Sequence, residues 1–560
     1  MKKNNTFRRA AALVAALSIT VSLAAPAFAG TYYIDDGDIT ITKNADGSQT
    51  IKQQGKEDCT DQAGDETIIT THKKAITSLE SDLEGPAAED TGFGPVVEDN
   101  YQPAQPEDAE EPKDADQPES TEEPKDADQP EGTDQPEDAE EPKAADRKES
   151  TEEPEDADRQ ESADRQAQPQ QAAPADAAPA APAPANGFCK NIITVINKCA
   201  DKVLNLTLKD VKIDVSDTGK NTGIPGTSVK GKAALSVQGS GDVEIELDGE
   251  NELKSGFNRA GLEKTDFTFI GTPSTGMLTL KDDNQKAGSL KATGGQFGAG
   301  IGGVENGNGK NITINGGTVE ATGGDFGAGI GGGFGGSGEN ITINGGTVTA
   351  DGNDFGAGIG GGKERKGENI TITGGTVNAA GGIGGGEGGN GKNITITGGT
   401  VTAKGGVLGA GIGGGVVGSG TNITITGGTV TASGCAGAGI GGGIDGSGSN
   451  VTVSGAAQVT ATATDIGPDW SGAATGATIG GGGSNTVDSD GNPVSIPGTE
   501  IQADIIGLTT GYIHHIIYEQ DGTTIKREWW EPERPQPNPE SPQPNPEDPN
   551  APAEESNEVS

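Results

Sequence analysis

A repeat of about 29 residues constrains this chain more than any other feature of its sequence. Each copy reads NITITGGTVTA, or close to it, and is followed by a glycine-rich GAGIGGG. Counted along the chain, the steps between the leading asparagines are 29, 29, 24, 29 and 28, and these asparagines are Asn311, Asn340, Asn369, Asn393, Asn422 and Asn450. A regular period of this length is typical of a solenoid, in which each unit packs on its neighbours.

Within one unit the apolar residues alternate with polar ones. Ile312 and Ile314 are separated by Thr313, which is the two-residue period of a β-strand. A second short strand, TVEA, follows the Gly-Gly corner at 316–317, and a third carries AGI at residues 328–330. Two-residue corners cannot hold the crossover that a βαβ unit needs, so each strand must pair with its copies in neighbouring turns.

The sequence therefore predicts an all-β fold, a parallel β-helix in which equivalent residues stack about 4.8 Å apart. We expect three apolar columns in its interior. They are Ile312, Ile341, Ile370, Ile394, Ile423 and Val451; Val319, Val348, Val377, Val401 and Val430; and Ile301, Ile330, Ile359, Ile383, Ile412, Ile440 and Ile479. With Leu235 and Leu262 the third column predicts about nine turns, or ~40 Å of axial rise.

Changes in composition divide the chain into six segments. Residues 1–29 have a basic start, an apolar run and an A-x-A site, the pattern of a secretory signal peptide. Residues 30–98 contain strand-like segments that we assign to the first turns of the coil, with a separate N-terminal module as the alternative. Residues 99–186 are acidic and proline-rich, and we expect them to be disordered. Residues 187–484 hold the coil, residues 485–532 supply cap strands, and residues 533–560 form a second disordered, proline-rich segment.

The acidic segment contributes much of the charge of the chain. Residues 101–180 contain 27 Asp/Glu and 7 Lys/Arg, within a chain whose formal net charge is −45. Such a segment cannot bury enough apolar area to offset its ordering entropy, so a spacer that crosses a cell wall and a linker without a partner both stay open. The acidity argues against nucleic acid and anionic lipid as partners, and it disfavours acidic pectin unless a cation bridges the two.

The sequence also predicts where the protein acts. No second apolar stretch of about 18 residues occurs, so we expect no membrane span. The signal peptide predicts a secreted, extracellular protein, and association with the cell wall stays open, as does the oligomeric state.

Four cysteines in an exported chain permit disulfides. If residues 191–197 form an extended strand, Cys189 and Cys199 lie roughly 30 Å apart, far beyond disulfide reach. Cys59 is then the expected partner of one of them, and Cys435 is expected to be free. If residues 191–197 form a turn instead, Cys189 and Cys199 can pair with each other.

Several segments carry a family resemblance. The succession of GDITIT, NIITV, LTLKDVKID, ELDGENELKSG, NRAGLE and ATGGxxGAGIGGG resembles the bacterial surface proteins known as carbohydrate-binding-domain proteins. The resemblance covers most of the chain outside the predicted signal peptide, acidic segment and tail. It implies a right-handed parallel β-helix like that of polysaccharide lyases, and binding of cellulose or pectin-like polymers with calcium. The glycine-rich array is longer and more uniform than the acidic, ligand-bearing turns of a calcium-dependent lyase, so catalysis is not carried over.

Few residues of the repeat carry reactive chemistry. Asp325 and Asp354 occupy equivalent corners of neighbouring turns, where two stacked carboxylates can share a Ca²⁺, the one cofactor we consider; solvated corner residues are the alternative. His72, His514 and His515 lie outside the array, and neither a nucleophile motif nor zinc-type spacing occurs. We therefore expect no enzyme, with a polysaccharide lyase as the enzymatic alternative.

Three further columns are candidate binding or structural features. Phe297, Phe326 and Phe355 share one corner in three consecutive turns, either as a surface for sugar rings or as the end of the core. The leading asparagines of the repeat can bond to one another in a ladder. The outward threonines form flat T-x-T arrays, similar to those of β-helical ice-binding proteins.

These features predict a non-catalytic β-helix that binds polysaccharide, from plant or bacterial cell walls, at the bacterial surface. A structural or adhesive stalk is the second hypothesis, a lyase the third and an ice-binding protein the fourth.

Overall fold

The computed structural model describes residues 30–61, 67–72, 187–223, 227–266, 273–284, 286–353, 355–406, 408–465, 474–489 and 492–533. The predicted signal peptide, the acidic segment and almost all of the C-terminal tail lie outside these ranges. Within them the chain forms 36 strands and one short 3-10 helix, Ile34–Asp36. No helix in these ranges is long and apolar enough to span a membrane.

The strands before the regular repeats differ in length. They are β1 (Thr31–Tyr33), β2 (Ile39–Lys43), β3 (Gln49–Gln53), β4 (Cys59–Asp61), β5 (Thr67–Thr70), β6 (Ile193–Asn197), β7 (Leu204–Lys209), β8 (Lys212–Asp214), β9 (Leu235–Gly239), β10 (Val243–Lys254), β11 (Leu262–Glu263), β12 (Leu278–Lys281) and β13 (Gly288–Thr293).

The repeats give three strands per turn. These strands are β14 (Ile301–Gly302), β15 (Gly309–Ile314), β16 (Thr318–Thr322), β17 (Ile330–Gly331), β18 (Gly338–Ile343), β19 (Thr347–Asp351), β20 (Ile359–Gly360), β21 (Gly367–Ile372), β22 (Thr376–Gly381), β23 (Ile383–Gly384), β24 (Gly391–Ile396), β25 (Thr400–Gly405), β26 (Ile412–Gly413), β27 (Gly420–Ile425), β28 (Thr429–Ser433), β29 (Ile440–Gly441), β30 (Gly448–Val453), β31 (Gln458–Thr464) and β32 (Ile479–Gly480).

Two hairpins follow the repeats. They consist of β33 (Ser484–Val487) with β34 (Pro493–Ile496), and of β35 (Tyr512–Tyr518) with β36 (Ile525–Glu531), each pair antiparallel. Strand β35 also pairs in parallel with β31, so it adds one more rung to the coil before the chain reverses.

The coil has three faces, each a parallel sheet. The first face comprises β1, β5, β7, the first half of β10, β12, β15, β18, β21, β24, β27 and β30. The second face comprises β8, the second half of β10, β13, β16, β19, β22, β25, β28, β31 and β35. The third face comprises β2, β6, β9, β11, β14, β17, β20, β23, β26, β29 and β32.

Neighbouring turns pair in register, and this register builds the core. Isoleucine lies opposite isoleucine on the first and third faces of the repeats, and valine lies opposite valine on the second. Every residue of the three expected columns is buried, because side chains alternate across a strand and one side of each strand points into the coil. The predicted parallel β-helix is confirmed.

The one shorter step of the repeat, 24 residues from Asn369 to Asn393, preserves this register. It removes residues from the corner between the second and third faces, while Ile359 still pairs with Ile383. The third face contains the nine expected strands, from β9 to β32, and β2 and β6 extend it by two.

Residues on both sides of the acidic segment share the same sheets. Strand β2 pairs in parallel with β6, and β5 pairs in parallel with β7. Strands β2, β3 and β4 also form an antiparallel meander that leaves the coil. The alternation in the sequence predicts β2 and β3 as strands, but it predicts neither β4 nor the antiparallel direction of the pairing.

Candidate functional site

The second face carries a regular grid of polar side chains. Threonines at the first position of its strands stack in register and are exposed; they are Thr318, Thr347, Thr376, Thr400 and Thr429. A second outward column lies two residues further along each strand and consists of Glu320, Thr349, Asn378, Thr402 and Thr431. Because rungs lie about 4.8 Å apart and alternate residues about 6.7 Å apart, hydroxyl and amide groups form a two-dimensional lattice, which we call the polar grid.

On the first face the leading asparagines of the repeats form a hydrogen-bonded ladder. Each Nδ2 donates to the Oδ1 of the asparagine one turn earlier at 2.7–3.1 Å, and Asn311 donates to the carbonyl of Thr275 at 2.9 Å. All six asparagines have φ of 54–57°, the left-handed region that asparagine tolerates better than most residues. These asparagines lie within the first-face strands and not at a corner, so both the left-handed backbone at that position and the ladder favour asparagine there. Their role is therefore structural.

The phenylalanine column is stacked ring upon ring. The centroids of Phe297 and Phe326 lie 5.2 Å apart, those of Phe326 and Phe355 lie 5.1 Å apart, and the interplanar angles are 18° and 9°. Phe257 packs its edge against Phe297, and the ammonium of Lys363 lies 4.3 Å from the centre of the Phe355 ring. A sugar ring stacks on a free aromatic face. Both faces of the middle ring are covered, so the column offers solvent mainly its ring edges.

The structure does not place the predicted calcium pair. Asp325 is exposed and accepts a hydrogen bond from Gln296 Nε2 at 3.1 Å, whereas Asp354 lies outside the described residues. Among the residues that the structure describes, no group of three or more His, Cys, Asp or Glu side chains is arranged to hold a metal ion.

All four cysteines are described, and all are free thiols. The expected bond from Cys59 to Cys189 or Cys199 is not formed: Cys59 is exposed on β4, the outer strand of the meander, whereas the other two are buried before and after β6. Burial raises the pKa of Cys189 to about 12. Cys435 is partly buried, and burial also raises its pKa.

A cavity of about 430 Å³ opens on the first face, in the turns before the regular repeats. Its lining comes from β7, β10, β12 and the residues after β12, and its polar members are Asn205, Glu244, Glu246, Lys281, Asp283 and Asn284. The sheet register places Glu244 opposite Asn205, and Glu246 opposite Lys281. Sequence reasoning missed this site. Its main signal is two glutamates two residues apart on one strand, and solvated strands show the same pattern.

The carboxylate of Glu246 is the most enclosed polar group of this cavity. The residue is 4% exposed, and its Oε1 accepts the backbone N–H groups of Asp283 and Asn284 at 3.1 and 3.2 Å. Nothing in the part of the chain that the structure describes forms a hydrogen bond with its buried Oε2. Burial raises the pKa of Glu246, and the adjacent carboxylate of Asp283 adds to the rise.

Lys281 partly neutralises the cavity. Its Nζ lies 3.3 Å from a carboxylate oxygen of Glu244 and 3.4 Å from one of Asp283. Although burial opposes the shift, these two acidic partners raise the pKa of Lys281, so it stays protonated. The single ammonium is shared by two carboxylates, and none of the described lysines or arginines forms an ion pair with Glu246.

A second enclosed polar cluster closes the C-terminal end of the coil. Thr478 contacts His515 Nδ1 at 2.7 Å through its hydroxyl and donates its backbone N–H to Glu500 at 2.7 Å. Trp529 stacks on the buried His515 ring, whose Nε2 lies 4.0 Å from Glu531. Burial lowers the pKa of His515 to about 4 and raises the pKa values of Glu500 and Glu531. A neutral histidine under a tryptophan suits a cap and leaves little access for a ligand.

Comparison with known proteins agrees with this architecture. Four segments match the family model described as a β-helix repeat, namely residues 312–334, 341–363, 394–416 and 423–444. Each segment begins at the first-face isoleucine column and covers about one turn of the coil. The chain is a parallel β-helix protein. No curated protein and no solved structure matches this β-helix protein significantly. The comparisons therefore indicate the fold and leave the function to be inferred from the surface of the coil.

Proposed function

We propose that this β-helix protein is exported and binds polysaccharide at the bacterial surface without catalysing a reaction on it. The observation that carries the proposal is the polar grid, which runs in register through five consecutive turns. Threonine hydroxyls both donate and accept hydrogen bonds, as sugar hydroxyls do, so the two surfaces are chemically complementary.

The spacing of the grid suits a polymer better than a single sugar. One extended sugar residue is comparable in length to one rung of about 4.8 Å, so a chain that runs along the axis meets equivalent side chains turn after turn. Each contact contributes little by itself, because a protein–sugar hydrogen bond replaces bonds to water. A polymer that contacts several turns at once adds these small contributions, and its total affinity for the protein becomes appreciable.

The charge of the protein favours neutral glycans over acidic ones. The chain has a formal net charge of −45. An anionic polymer such as pectin is therefore repelled unless a cation bridges the two, whereas cellulose-like chains are not. Calcium is proposed only in that bridging role.

The test is affinity electrophoresis of the full chain in gels that contain cellulose derivatives or pectin, with and without calcium. We expect retention by the neutral polymer, and a triple variant of the polar grid, Thr347→Val, Thr376→Val and Thr400→Val, to weaken it about tenfold, which corresponds to ~1.4 kcal/mol. The matched control changes three threonines of the first face, Thr342→Val, Thr371→Val and Thr395→Val, and keeps retention. Retention by no polymer excludes the proposal.

Export and the absence of catalysis have separate tests. Secretion from a bacterial host should give a mature chain that begins at Gly30, after the A-x-A sequence. Incubation with pectate should produce no unsaturated uronide absorbance, and a steady rise would restore the lyase hypothesis.

A further inference from the structure

The cavity around Glu246 differs from the rest of the coil surface because the neighbouring turns do not repeat it. It lies where β10 continues without interruption from the first face to the second, and where Asp283 and Asn284 contact Glu246 through their backbone N–H groups. At about 430 Å³ it is within the size range of small-ligand sites. A long polymer face and a compact cavity are therefore present on the same protein.

The cavity lacks a hydrogen-bond donor at one defined atom. Glu246 is 4% exposed, and within the described ranges no donor reaches its buried Oε2. A buried acceptor without a partner is destabilising, and the cost is larger when the group is charged. The neighbouring Asp248, in contrast, receives hydrogen bonds from Asn284 Nδ2 at 2.6 Å and Lys286 Nζ at 3.1 Å. The local network thus satisfies one enclosed carboxylate fully and the other only on one side.

The charges of the lining select a cation. Three carboxylates, those of Glu244, Glu246 and Asp283, face one ammonium, that of Lys281. A ligand that brings a positive charge and N–H donors balances this lining, whereas an anionic sugar adds to the repulsion. Calcium and magnesium fit less well, since each prefers six or more oxygen ligands, and Lys281 already occupies two of the three carboxylates.

We propose that this cavity binds a sugar residue that carries a free amino group, with the ammonium donating to Glu246 Oε2. The proposal rests on the polysaccharide-binding function proposed above, and it names the class of glycan: one with unsubstituted amines. Lys281 shows that this group of acids accommodates an ammonium. Asn205 and Asn284, whose side chains carry both donors and acceptors, are placed to contact the sugar hydroxyls.

The test compares two oligosaccharides that differ only in the amine. Binding of chitosan oligosaccharide and of the fully N-acetylated chitin oligosaccharide of the same length is measured by calorimetry on the full chain, below the pKa of the sugar amine. Acetylation removes the charge, so we expect the wild-type protein to bind the free-amine form at least about tenfold more tightly. Equal affinity for the two oligosaccharides overturns the proposal.

The variant Glu246→Gln tests the assigned atom. Glutamine keeps an oxygen for the backbone N–H groups of Asp283 and Asn284, and its amide can donate to the Asp283 carboxylate, so we expect the variant to fold with an unchanged or higher melting temperature. The preference for the free amine should be lost. The control Glu250→Gln alters an exposed glutamate of the same strand outside the cavity and should keep the preference. A preference that survives in Glu246→Gln overturns the assignment.

The experiments distinguish a failure of the amine-binding proposal for the cavity from a failure of the polysaccharide-binding proposal for the polar grid. If both oligosaccharides bind equally and the polar-grid variant weakens both, the protein binds glycans but not through the Glu246 cavity. If the amine preference depends on Glu246 while the polar-grid variant has no effect, the cavity is the binding site and the grid is not.

Discussion

At the scale of single residues, the charged or titratable side chains that are buried among the described residues lie outside the regular repeats. Glu246 lies before the regular turns, and His515 lies after them. Inside the repeats the core positions are isoleucine, valine and alanine, which carry no charge to neutralise. Groups within the repeats whose pKa values are shifted, such as Lys366 and Cys435, are exposed or only partly buried. The enclosed groups with shifted pKa values lie in turns that have individual sequences, and they are candidates for function or for a specific closure of the fold.

His515 makes the stability of the C-terminal cap depend on pH. Its pKa is about 4 in the folded protein against an ordinary value of 6.5, because burial disfavours the charged ring. Between pH 6.5 and 4 the unfolded chain binds a proton that the folded chain does not, so this residue lowers the free energy of unfolding as the pH falls, by up to about 3 kcal/mol. Glu500 and Glu531 act in the opposite sense, since their pKa values are raised.

The contribution of His515 to the pH dependence of stability is obtained by comparing the wild type with a variant that lacks the imidazole. Urea unfolding of the wild type and of His515→Asn is measured through this pH range. The difference in stability between the two proteins should shrink towards low pH, because the asparagine does not titrate. If the stabilities of the two proteins instead change in parallel with pH, the pKa of His515 is the same in the folded and unfolded states, which contradicts the prediction.

At the scale of elements, the two-residue strands of the third face depend on glycine. Gly360 has φ of 139°, and a Cβ built on it would lie 1.9 Å from the carbonyl oxygen of Gly384 in the next turn. Real Cβ atoms do not approach so closely, so any side chain must push the turns apart. The glycine-rich GAGIGGG is therefore a condition for close stacking of the third face and carries no ligand-binding chemistry of its own.

Gly360→Ala should destabilise the coil by about 3 kcal/mol, because overpacking and a strained φ each cost energy. The matched control is Gly406→Ala, where no heavy atom of the described residues, chain neighbours aside, lies within 4 Å of the added Cβ. Thermal unfolding followed by circular dichroism should show a lower melting temperature for the first variant and almost no change for the second. Equal melting temperatures would contradict the close packing of this face.

The elements that the sequence predicts well are those whose neighbours are copies of themselves. In-register stacking makes each isoleucine column visible in the sequence, since a parallel β-helix repeats the same contact at every turn. The cavity at Glu246 could not be predicted in this way. It depends on how Asp283 and Asn284 lie over β10. This segment is not repeated in the sequence, so no periodic pattern indicates its conformation. The antiparallel pairing of β35 with β36 could not be predicted either, because the alternation of apolar and polar residues predicts strands but not the direction in which they pair.

At the scale of the whole coil, each turn contacts mainly the turns before and after it. Stability is then approximately a sum of turns and of interfaces between neighbours. Equivalent positions pair in register between turns, as Glu339 does with Glu368. The shorter natural step, 24 residues from Asn369 to Asn393, also shows that a corner can shorten without loss of register. We therefore expect that the number of turns can be changed without changing the fold.

Deletion of residues 340–368 removes one complete turn and joins Glu339 to Asn369, which restores the GENIT sequence at the junction. We expect the shortened protein to fold with a slightly lower melting temperature, since one set of stacking contacts is lost. Deletion of residues 340–354 instead joins strands of different faces, and it should abolish cooperative unfolding. Circular dichroism and thermal unfolding compare the three proteins.

The same one-turn deletion separates a polysaccharide-binding coil from a simple stalk. It shortens the polar grid by one of five turns, so retention by a neutral polymer should weaken in proportion and persist, because the remaining rungs still act together. A stalk predicts no retention before or after the deletion. Complete loss of retention after removal of this turn would instead place the ligand within residues 340–368, and the grid would then not act as a repetitive surface.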